Sequence, residues 1–472
     1  MAKNYDLVIL GGGMGGYVAA IRAKQLGLSV ALVEEQLIGG TCLHRGCIPT
    51  KALLKSASLF HSIKHSKEYG VEVDEPTLNI NIVQSRKDQI VEQLYRGLQQ
   101  LMKKNKIDIF NGYGRMLGPS IFSPLPGTIS VQFKDDKENE MLIGKNILLA
   151  TGSKPRNLEQ LPFNQDSILS SDDALKLNPL PKSIIIVGGG VIGVEWASML
   201  IDFGVEVTVV EAANQLLPQL DRDLAKVVER ELSKRGVTII KNSKVIASEH
   251  VGEQVELIVE QKQDQQKLLA EKVLVSVGRE PNSSNIGLEN TSILRDDHGF
   301  IKVNSHYQTQ EAHIYAVGDV IGGFQLAHVA AAEGKAAVEH IAGIRSFANP
   351  HQPISCVYSH PEVASVGLSE REAKESGQAI IVKKVPFSAI GKALINGNAT
   401  GFIKIISNQD SEDLVGVHMV GEHVTELISE AGLALVLDAT AAEIGHTVHP
   451  HPSLSEAFQE TALAINDLQI HG

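Results

Sequence analysis

Hydrophobic positions along the chain fall into short runs separated by longer amphipathic stretches, and one such arrangement occurs twice. Near the start, an apolar run at 7–10 leads through a glycine-rich turn into a helix-like stretch that ends at Leu26, and a second apolar run at 30–33 ends at Glu34. The same order recurs from Ile184 to Glu211. Short apolar runs on either side of a helical stretch predict a βαβ unit. The sequence therefore predicts two βαβ units.

Each unit carries the G-x-G-x-x-G pattern of a nucleotide-binding turn. The glycines are Gly11, Gly13 and Gly16 in the first unit and Gly188, Gly190 and Gly193 in the second. The first glycine allows a tight bend, the second lets backbone approach a pyrophosphate, and the third lets the helix pack on the strand. Glu34 and Glu211 end the two units at the same distance from the first glycine, where a carboxylate can accept hydrogen bonds from a ribose.

Further apolar runs end in small-residue turns, as strands do where they pass a bound nucleotide. These turns are Thr151-Gly152, Gly278 and Gly318-Asp319. Runs at 129–133 and 255–261 lie near charged loops and predict inserted antiparallel strands. A composition change at 347–353 begins a last segment that alternates strands, at 402–406 and 414–420, with helices, at 424–437 and 453–465. We expect an α/β protein with an α+β last domain.

Length and charge narrow the possible functions. A chain of 472 residues exceeds what one hydrophobic core usually organises, so we expect several domains. The net charge of −12 and the absence of a basic run argue against nucleic acid or an anionic membrane as a partner. No signal-peptide pattern precedes the first apolar run, and no uncharged stretch is long enough to span a membrane. We expect a cytoplasmic protein.

Two of the three cysteines, Cys42 and Cys47, lie close together shortly after the first βαβ unit. Pro49 suits the first turn of a helix, which would place Cys47 near a helix N-terminus, where the dipole stabilises a thiolate. His44 and Arg45 would add positive potential between them. A zinc site would need further ligands, and a pair of inert core thiols is the other alternative. A redox-active pair is favoured.

Near the C-terminus, the segment 449–456 combines two imidazoles, two prolines and a carboxylate. The prolines restrict the backbone, and Ser453 is predicted to be the N-cap of a helix that carries Glu456. A carboxylate that holds one imidazole nitrogen makes the other a better base. The alternatives are a metal-binding or a merely solvated histidine pair. Proton transfer near neutral pH is what thiol chemistry requires, so we favour an acid–base pair.

These motifs together resemble the pyridine nucleotide–disulfide oxidoreductases over essentially the whole chain. The resemblance rests on the following runs: G-G-T-C-x4-C-I-P-x-K from Gly39 to Lys51, both glycine turns, Ala150-Thr151-Gly152, Tyr315-Ala316-Val317-Gly318-Asp319, and H-P-H-P-x-x-x-E from His449 to Glu456. It implies a fold of two Rossmann-like nucleotide-binding domains with inserted antiparallel segments, a central domain and a C-terminal dimerisation domain. The implied bounds are 1–150 for FAD binding, 151–279 for NAD binding, 280–348 for the central domain that completes the FAD site, and 349–472 for the interface.

The resemblance also implies which residues contact the two cofactors. Those implied for FAD are Gly11, Gly13, Gly16, Glu34, Lys51, Gly114, Thr151, Gly152, Asp319 and Ala327. Those implied for NAD are Gly188, Gly190, Ile192, Gly193, Glu211, Val245 and Gly278. No residue is assigned to a metal.

The same resemblance implies roles in a reaction. Cys42 would exchange with a substrate dithiol, and Cys47 would face the flavin. His451, oriented by Glu456, would be the base, supplied by the other subunit of a homodimer. Lys51, one turn after Cys47, and Glu195, just after the second glycine turn, suggest surface charges when each is taken alone, but if the two halves fold together they could pair beside the flavin and tune hydride acceptance.

The implied substrate is a protein-bound dihydrolipoyl group of a 2-oxo acid dehydrogenase complex. The implied partners are the lipoyl domain and the subunit-binding domain of its acyltransferase (E2) component. Binding to that component could itself be the main role, as an assembly subunit with an acidic surface that suits a basic partner.

The nearest alternative is another flavin disulfide reductase, such as a glutathione-reductase-like enzyme. NADP-dependent enzymes need an arginine near the second ribose to receive the 2′-phosphate. Here Glu211 is followed by Ala212, Ala213 and Asn214, so NAD is favoured. A mercuric-reductase-like enzyme would need C-terminal cysteines, and none follows Cys356.

Overall fold

The computed structural model describes residues 2–119, 126–134, 137–262, 264–345 and 353–472, and it divides into two compact units. The first unit comprises Met1–Ala52, Gln84–Arg156 and Arg279–His351, and the second comprises Leu53–Val83, Asn157–Gly278 and Gln352–Gly472. Within the described residues, no helix is both long enough and apolar enough to cross a membrane. The predicted domain boundary at 348–349 lies outside the described residues, and the division into four domains stays a prediction.

The strands in the described residues include both predicted βαβ units and both predicted inserted segments. They are β1 (Ala2–Leu10), β2 (Val30–Glu34), β3 (Asp108–Asn111), β4 (Tyr113–Leu117), β5 (Thr128–Gln132), β6 (Glu140–Leu149), β7 (Ser153–Pro155), β8 (Ile168–Leu169), β9 (Ser183–Val187), β10 (Glu206–Val210), β11 (Thr238–Ile240), β12 (Lys244–Val251), β13 (Gln254–Gln261), β14 (Asp264–Ala270), β15 (Lys272–Val275), β16 (Arg279–Pro281), β17 (Ile314–Ala316), β18 (Ser355–Val357), β19 (Glu362–Gly367), β20 (Ile380–Pro386), β21 (Phe402–Asn408) and β22 (Leu414–Gly421).

The helices of the same residues range from one turn to seven. They are α1 (Met14–Gln25), α2 (Gly40–Arg45), α3 (Cys47–Lys64), α4 (Ile80–Lys104), α5 (Ser171–Ala174), α6 (Val191–Asp202), α7 (Arg222–Lys234), α8 (Ala327–Ile341), α9 (Glu370–Glu375), α10 (Gly391–Ile395), α11 (Val424–Val436), α12 (Ala441–His446) and α13 (Glu456–Ala464). Short 3-10 turns lie at Ser66–Tyr69, Leu288–Asn290, Gly318–Ile321 and Phe387–Ala389.

The first unit is built on a mixed sheet with a parallel centre in the order β3-β2-β1-β6-β17. Residues 7–10 of β1 are all buried, because a central parallel strand has both faces covered. The antiparallel strands β4 and β5 join the sheet through the first half of β6. The carboxyl ends of β1 and β6 therefore lie side by side, and nucleotides bind at that edge of such sheets.

The second unit repeats this plan and adds two antiparallel sheets. Its parallel sheet has the order β11-β10-β9-β15-β8, so the second βαβ unit occupies the same relative position as the first. Strands β12-β13-β14 form the inserted antiparallel sheet, and β18-β19-β22-β21-β20 form the sheet of the last segment. The predicted fold class, α/β with an α+β last domain, is confirmed.

The predicted start of the last helix is wrong. Helix α13 begins at Glu456, and its N-cap is Ser455 rather than Ser453. The Ser453 hydroxyl bonds the Ser455 hydroxyl at 2.8 Å instead of capping a helix, while the Ser453 N–H donates to Glu456 Oε2 at 2.8 Å. Residues between His451 and Ser455 therefore form a turn that leads into the helix.

A buried cation links helix α7 to the last sheet of the second unit. Lys404 on β21 is 1% exposed, and its Nζ lies 2.9 Å from Asp221, 3.2 Å from Asp223 and 2.6 Å from Glu370. Asp221 also caps α7, since its side chain accepts from the Asp223 N–H. The Lys404 ammonium thus contacts three carboxylates, and Lys384 and Lys374 add further positive charge beside Asp223 and Glu370.

Candidate active site

The first glycine turn can be occupied only by glycine at its first and third positions. Gly11 has φ +106°, and a Cβ there would lie 2.3 Å from the Ala150 carbonyl oxygen. A Cβ on Gly16 would lie 1.9 Å from the carbonyl oxygen of Gly11, where helix α1 packs on strand β1. At Gly13 the nearest atom to such a Cβ is 3.9 Å away, in Gly40. The backbone is therefore open on that side of the second glycine.

The second turn reproduces these relations in the second unit. Gly188 has φ +105°, with the Ser276 carbonyl oxygen 2.5 Å from the position of a Cβ, and a Cβ on Gly193 would lie 1.9 Å from the Gly188 oxygen. Nothing lies within 4 Å of a Cβ on Gly190. Both turns start a helix and leave room at the second glycine, as a cradle for a diphosphate requires. Both fit the pyrophosphate of a dinucleotide.

The acids that end the βαβ units hold the glycine turns in place. Glu34 Oε2 accepts from the Gly12 N–H at 2.7 Å, and its Oε1 accepts from the Gln36 N–H at 2.8 Å. Glu211 does the same with the N–H groups of Gly189 and Ala213, both at 2.6 Å. The sequence indicated a ribose contact for these acids but not this second role. Each carboxylate thus fixes the loop beside the space in which a ribose would lie.

Asp319, a predicted FAD residue, belongs to a polar cluster in the first unit. Its Oδ2 accepts from the Ser153 hydroxyl at 2.5 Å, and Arg279 Nε lies 3.8 Å from the same carboxylate. The guanidinium of Arg279 also donates to the Ser153 hydroxyl and carbonyl, at 2.7 and 2.8 Å. Sequence reasoning missed Ser153 and Arg279, which meet because β7 pairs with β16.

The other predicted cofactor residues divide between the units as the two motifs do. In the first unit, Lys51 is on α3, Gly114 is on β4, Thr151 and Gly152 follow β6, and Ala327 begins α8. In the second unit, Ile192 is on α6, Val245 is near the start of β12, and Gly278 follows β15. Every residue implied for FAD thus lies in the first unit, and every residue implied for NAD lies in the second. Their contacts with the cofactors stay predictions.

Cys42 and Cys47 lie on two consecutive helices. Cys42 is on α2, and Cys47 is the first residue of α3, as the position of Pro49 predicted. Both thiols are half-buried, and they lie close enough for a side-chain hydrogen bond. The side-chain hydrogen bond to Cys47, together with burial, raises the pKa of the Cys42 thiol far above its ordinary value, although Lys51 opposes this. Burial and this hydrogen bond therefore favour the protonated form of Cys42.

The His44 side chain is held by contacts with residues other than the two cysteines. Its Nε2 lies 2.8 Å from the Ile38 carbonyl oxygen, and its ring packs edge-on against the Tyr95 ring at 5.1 Å. These contacts give His44 a packing role. The predicted effect of His44 and Arg45 on the thiols stays a prediction.

His451 and Glu456 form the predicted pair. His451 Nδ1 lies 2.8 Å from Glu456 Oε1, and the second carboxylate oxygen accepts from the Ser453 N–H. Burial opposes ionisation of Glu456, but the hydrogen bonds from His451 and Ser453 hold its pKa below the ordinary value. The His451 side chain is 79% exposed, so Nε2 is accessible to a substrate.

The other histidine of this segment has a different environment. The His449 side chain is 4% exposed, with Nε2 2.9 Å from Glu430 and Nδ1 2.9 Å from the Thr447 carbonyl oxygen. Both ring nitrogens are therefore used within the protein. Of the two histidines in this segment, only His451 combines an orienting carboxylate with an accessible nitrogen.

Glu195 is buried on α6 in the second unit. Its Oε1 accepts from the Tyr358 N–H at 3.0 Å. The predicted pairing of Glu195 with Lys51 stays a prediction. In the described ranges, no three His, Cys, Asp or Glu side chains are grouped so that they could hold a metal ion.

Comparison with known proteins agrees with these features along the whole chain. Residues 5–334 match the model of the family described as pyridine nucleotide-disulphide oxidoreductase, and residues 354–462 match the dimerisation domain of that family. The chain is 54% identical to dihydrolipoyl dehydrogenase of Bacillus subtilis, with 100% of each chain covered. It is 40% identical to the mitochondrial dihydrolipoyl dehydrogenase of Pisum sativum, with 99% of this chain and 92% of the relative covered.

Solved structures show the same fold. The crystal structure of LpdA from Mycobacterium tuberculosis matches with a TM-score of 0.90 at 26% identity, over 97% of this chain and 99% of the other. The HOCl-induced flavoprotein disulfide reductase RclA from Escherichia coli, in its Cu(II) complex, matches with a TM-score of 0.86 at 26% identity, over 98% and 99%. The family uses FAD and NAD(H). This chain belongs to the pyridine nucleotide-disulphide oxidoreductase family.

Proposed function

We propose that this protein oxidises a protein-bound dihydrolipoyl group to the lipoyl disulfide and transfers the electrons through FAD to NAD+. The observation that carries the proposal is the presence of two adjacent thiols, Cys42 and Cys47, together with an accessible His451 imidazole held by Glu456. Both occur in a chain 54% identical over its whole length to a dihydrolipoyl dehydrogenase. A dithiol substrate needs both a disulfide to exchange with and a base to ionise it.

Residues already described would hold the cofactors. The open second glycines, Gly13 and Gly190, fit diphosphates at the N-termini of α1 and α6. Asp319 and Ala327 would contact FAD in the first unit, and Glu211 would face the NAD ribose in the second. When bound, FAD accepts the electron pair of the protein dithiol and NAD+ removes it as hydride.

The first step is deprotonation of the substrate thiol. His451 Nε2 takes the proton, while Glu456 holds Nδ1 and stabilises the positive charge that forms. In a homodimer, the His451 of one subunit would serve the cysteines of the other. The carboxylate is itself held by the Ser453 N–H, so the imidazole is oriented before the substrate arrives.

The second step is disulfide exchange at Cys42. The substrate thiolate attacks the Cys42 sulfur of the Cys42–Cys47 disulfide, and the S–S bond breaks to release Cys47 as a thiolate. The remaining substrate thiol then attacks the mixed disulfide as its proton passes to the departing Cys42 sulfur, which forms the lipoyl disulfide and leaves Cys42 as a thiol, Cys47 as a thiolate and the first proton on His451. The raised pKa of Cys42 supports this division, because the proton stays on Cys42 while Cys47 carries the charge.

NAD is proposed over NADP because of the residues around the second ribose position. The Glu211 carboxylate is buried and bonded to the Gly189 and Ala213 N–H groups, so a negative charge lies where NADP enzymes need a positive one. A 2′-phosphate at this position would be repelled by Glu211.

Assembly is proposed to involve a second copy and an acyltransferase. The apolar side chains of Leu433, Val436, Leu437 and Val448 are 60–93% exposed near the end of α11 and just before His449, within the region that matches a dimerisation domain. A second copy would cover them in a homodimer. The lipoyl domain and the subunit-binding domain of an E2 component are the proposed protein partners, in the cytoplasm.

The test is a turnover assay of the purified protein with two substrate systems. Dihydrolipoamide should support NAD+ reduction, with little reduction of NADP+. Glutathione disulfide should not support oxidation of either NADH or NADPH. Activity only with glutathione disulfide and NADPH would overturn the proposal in favour of a glutathione-reductase-like enzyme.

A Cys42→Ser variant separates catalysis from assembly. If the variant loses dihydrolipoamide turnover but still binds an E2 subunit-binding domain, both roles are supported. Full turnover of that variant would contradict the assignment of Cys42.

A further inference from the structure

Helix α8 contains a buried carboxyl group that has no part in the proposed reaction. Glu333 is 8% exposed, and its Oε2 accepts from the Gly318 N–H at 2.7 Å. Gly318 has φ +75° and begins the turn that carries Asp319. The hydrogen bond therefore fastens this turn to the middle of the helix, at the point where strand β17 ends.

The phosphate-binding helix α1 crosses α8 next to this bond. A Cβ on Gly334 would lie 2.4 Å from the Gly15 carbonyl oxygen, so the two helices are in backbone contact there. A Cβ on Gly15 would lie 3.2 Å from the Val317 side chain, which adjoins the same turn. Glu333 thus lies where three elements meet: helix α1, helix α8 and the turn that carries Asp319.

We propose that Glu333 is a positioning residue of the FAD site, which holds the Asp319 turn against α1 and α8 and so controls how long FAD stays bound. The proposal rests on the placement of FAD at Gly11–Gly16 and Asp319 given above. Without the Glu333 carboxyl group, the Gly318 N–H would be buried and would lack its hydrogen-bond acceptor. A buried, unpaired N–H raises the free energy of the folded state. The turn would shift to find a partner, and Asp319 would move with it.

The ionisation of Glu333 is sensitive to its surroundings. Burial raises its pKa to about 7, the Gly318 N–H opposes this, and the Asp319 carboxylate adds to it. Tyr307 also faces Glu333, and burial together with the Glu333 charge raises the pKa of that phenol to about 12, so it stays neutral. Loss of the Glu333 proton therefore places a buried negative charge near Asp319, and the repulsion loosens the turn.

The test is the rate of FAD dissociation, followed by the fluorescence of released flavin, in a series of variants. Glu333→Leu keeps the buried volume but cannot accept a hydrogen bond, and it should release FAD about tenfold faster, the equivalent of one hydrogen bond. Glu333→Gln keeps an acceptor and should release FAD at close to the parent rate. Parent-like retention by Glu333→Leu would overturn the proposal.

A control on the same helix separates this role from helix packing. Glu339 on α8 bonds Arg22 on α1 at 3.0 Å, so Glu339→Leu removes a contact between the same two helices away from the turn. Its FAD dissociation rate should match the parent. An increase as large as that of Glu333→Leu would contradict the proposal, because general α1–α8 packing would then be responsible.

A pH series provides a second test that needs no apolar variant. The parent should release FAD faster above about pH 7 than below it, as Glu333 ionises beside Asp319, and Glu333→Gln should lose that dependence. An unchanged pH dependence in Glu333→Gln would refute the assignment. If the parent protein binds FAD but does not oxidise dihydrolipoamide, the proposed function is wrong. The pH series would still decide the role of Glu333, because it measures the release of FAD.

Discussion

Replacement of Glu456 by glutamine tests the histidine–carboxylate pair with little change of shape. The amide oxygen can accept from only one of the two donors, His451 Nδ1 or the Ser453 N–H, and the negative charge is lost. Charged hydrogen bonds contribute about 1.5–3 kcal/mol. Because the His451 side chain is 79% exposed, solvent screens this interaction. We therefore expect Glu456→Gln to lose about 1.4 kcal/mol of transition-state stabilisation. That loss corresponds to about a tenfold lower rate.

The assay is kcat/KM for dihydrolipoamide under saturating NAD+. Glu430→Gln is the matched control, since Glu430 holds the neighbouring, buried His449 at 2.9 Å without serving the base, and its kcat/KM should stay within about twofold of the parent value. His451→Gln should lose about 100-fold or more, as expected for a general base. A large loss in His451→Gln with no loss in Glu456→Gln would refute the claim that the carboxylate orients the base.

Three further predictions concern the cofactor cradle and stability. Gly16→Ala should yield protein without bound flavin, measured by absorbance, because its Cβ would lie 1.9 Å from a carbonyl oxygen; normal flavin content would contradict this. Lys404→Met should lower the free energy of unfolding by about 3–5 kcal/mol in urea, since it leaves the buried Asp221 carboxylate without its ammonium partner, whereas loss of the exposed Lys383–Asp467 pair in Lys383→Met should lower it by less than about 1 kcal/mol. As pH rises from 4.5 to about 7, folded Glu333 keeps a proton that the unfolded chain has lost. Relative to Glu333→Gln, the parent should therefore lose up to about 3 kcal/mol of unfolding free energy over that window.

Local patterns predicted the parts of the fold that local physics determines. Strand β1, helix α1 and strand β2 follow from buried apolar runs around a turn that only glycine can form, and Gly11 and Gly16 show why. The recurrence of this unit fixed the position of the second parallel sheet. The helix start at Cys47 was predicted from Pro49, because proline suits a first helical turn.

Contacts between distant parts of the chain could not be predicted in the same way. Ser153 and Arg279 are 126 residues apart, and their shared contact with Asp319 depends on the pairing of β7 with β16. Glu333 has the sequence context of an ordinary helical acid, and only its burial against Gly318 distinguishes it. The error at Ser453 has a local cause, since a serine before an acid suits a cap equally well at Ser455.

The most direct test of the central claim is to label the cysteines of the oxidised protein before and after anaerobic addition of dihydrolipoamide, and to locate the label by mass spectrometry. Cys42 and Cys47 should be protected before the addition, become labelled after it, and be protected again when NAD+ is supplied. The labelling of Cys356 should not change with either addition. Turnover of dihydrolipoamide without any change in the labelling of Cys42 and Cys47 would contradict the account.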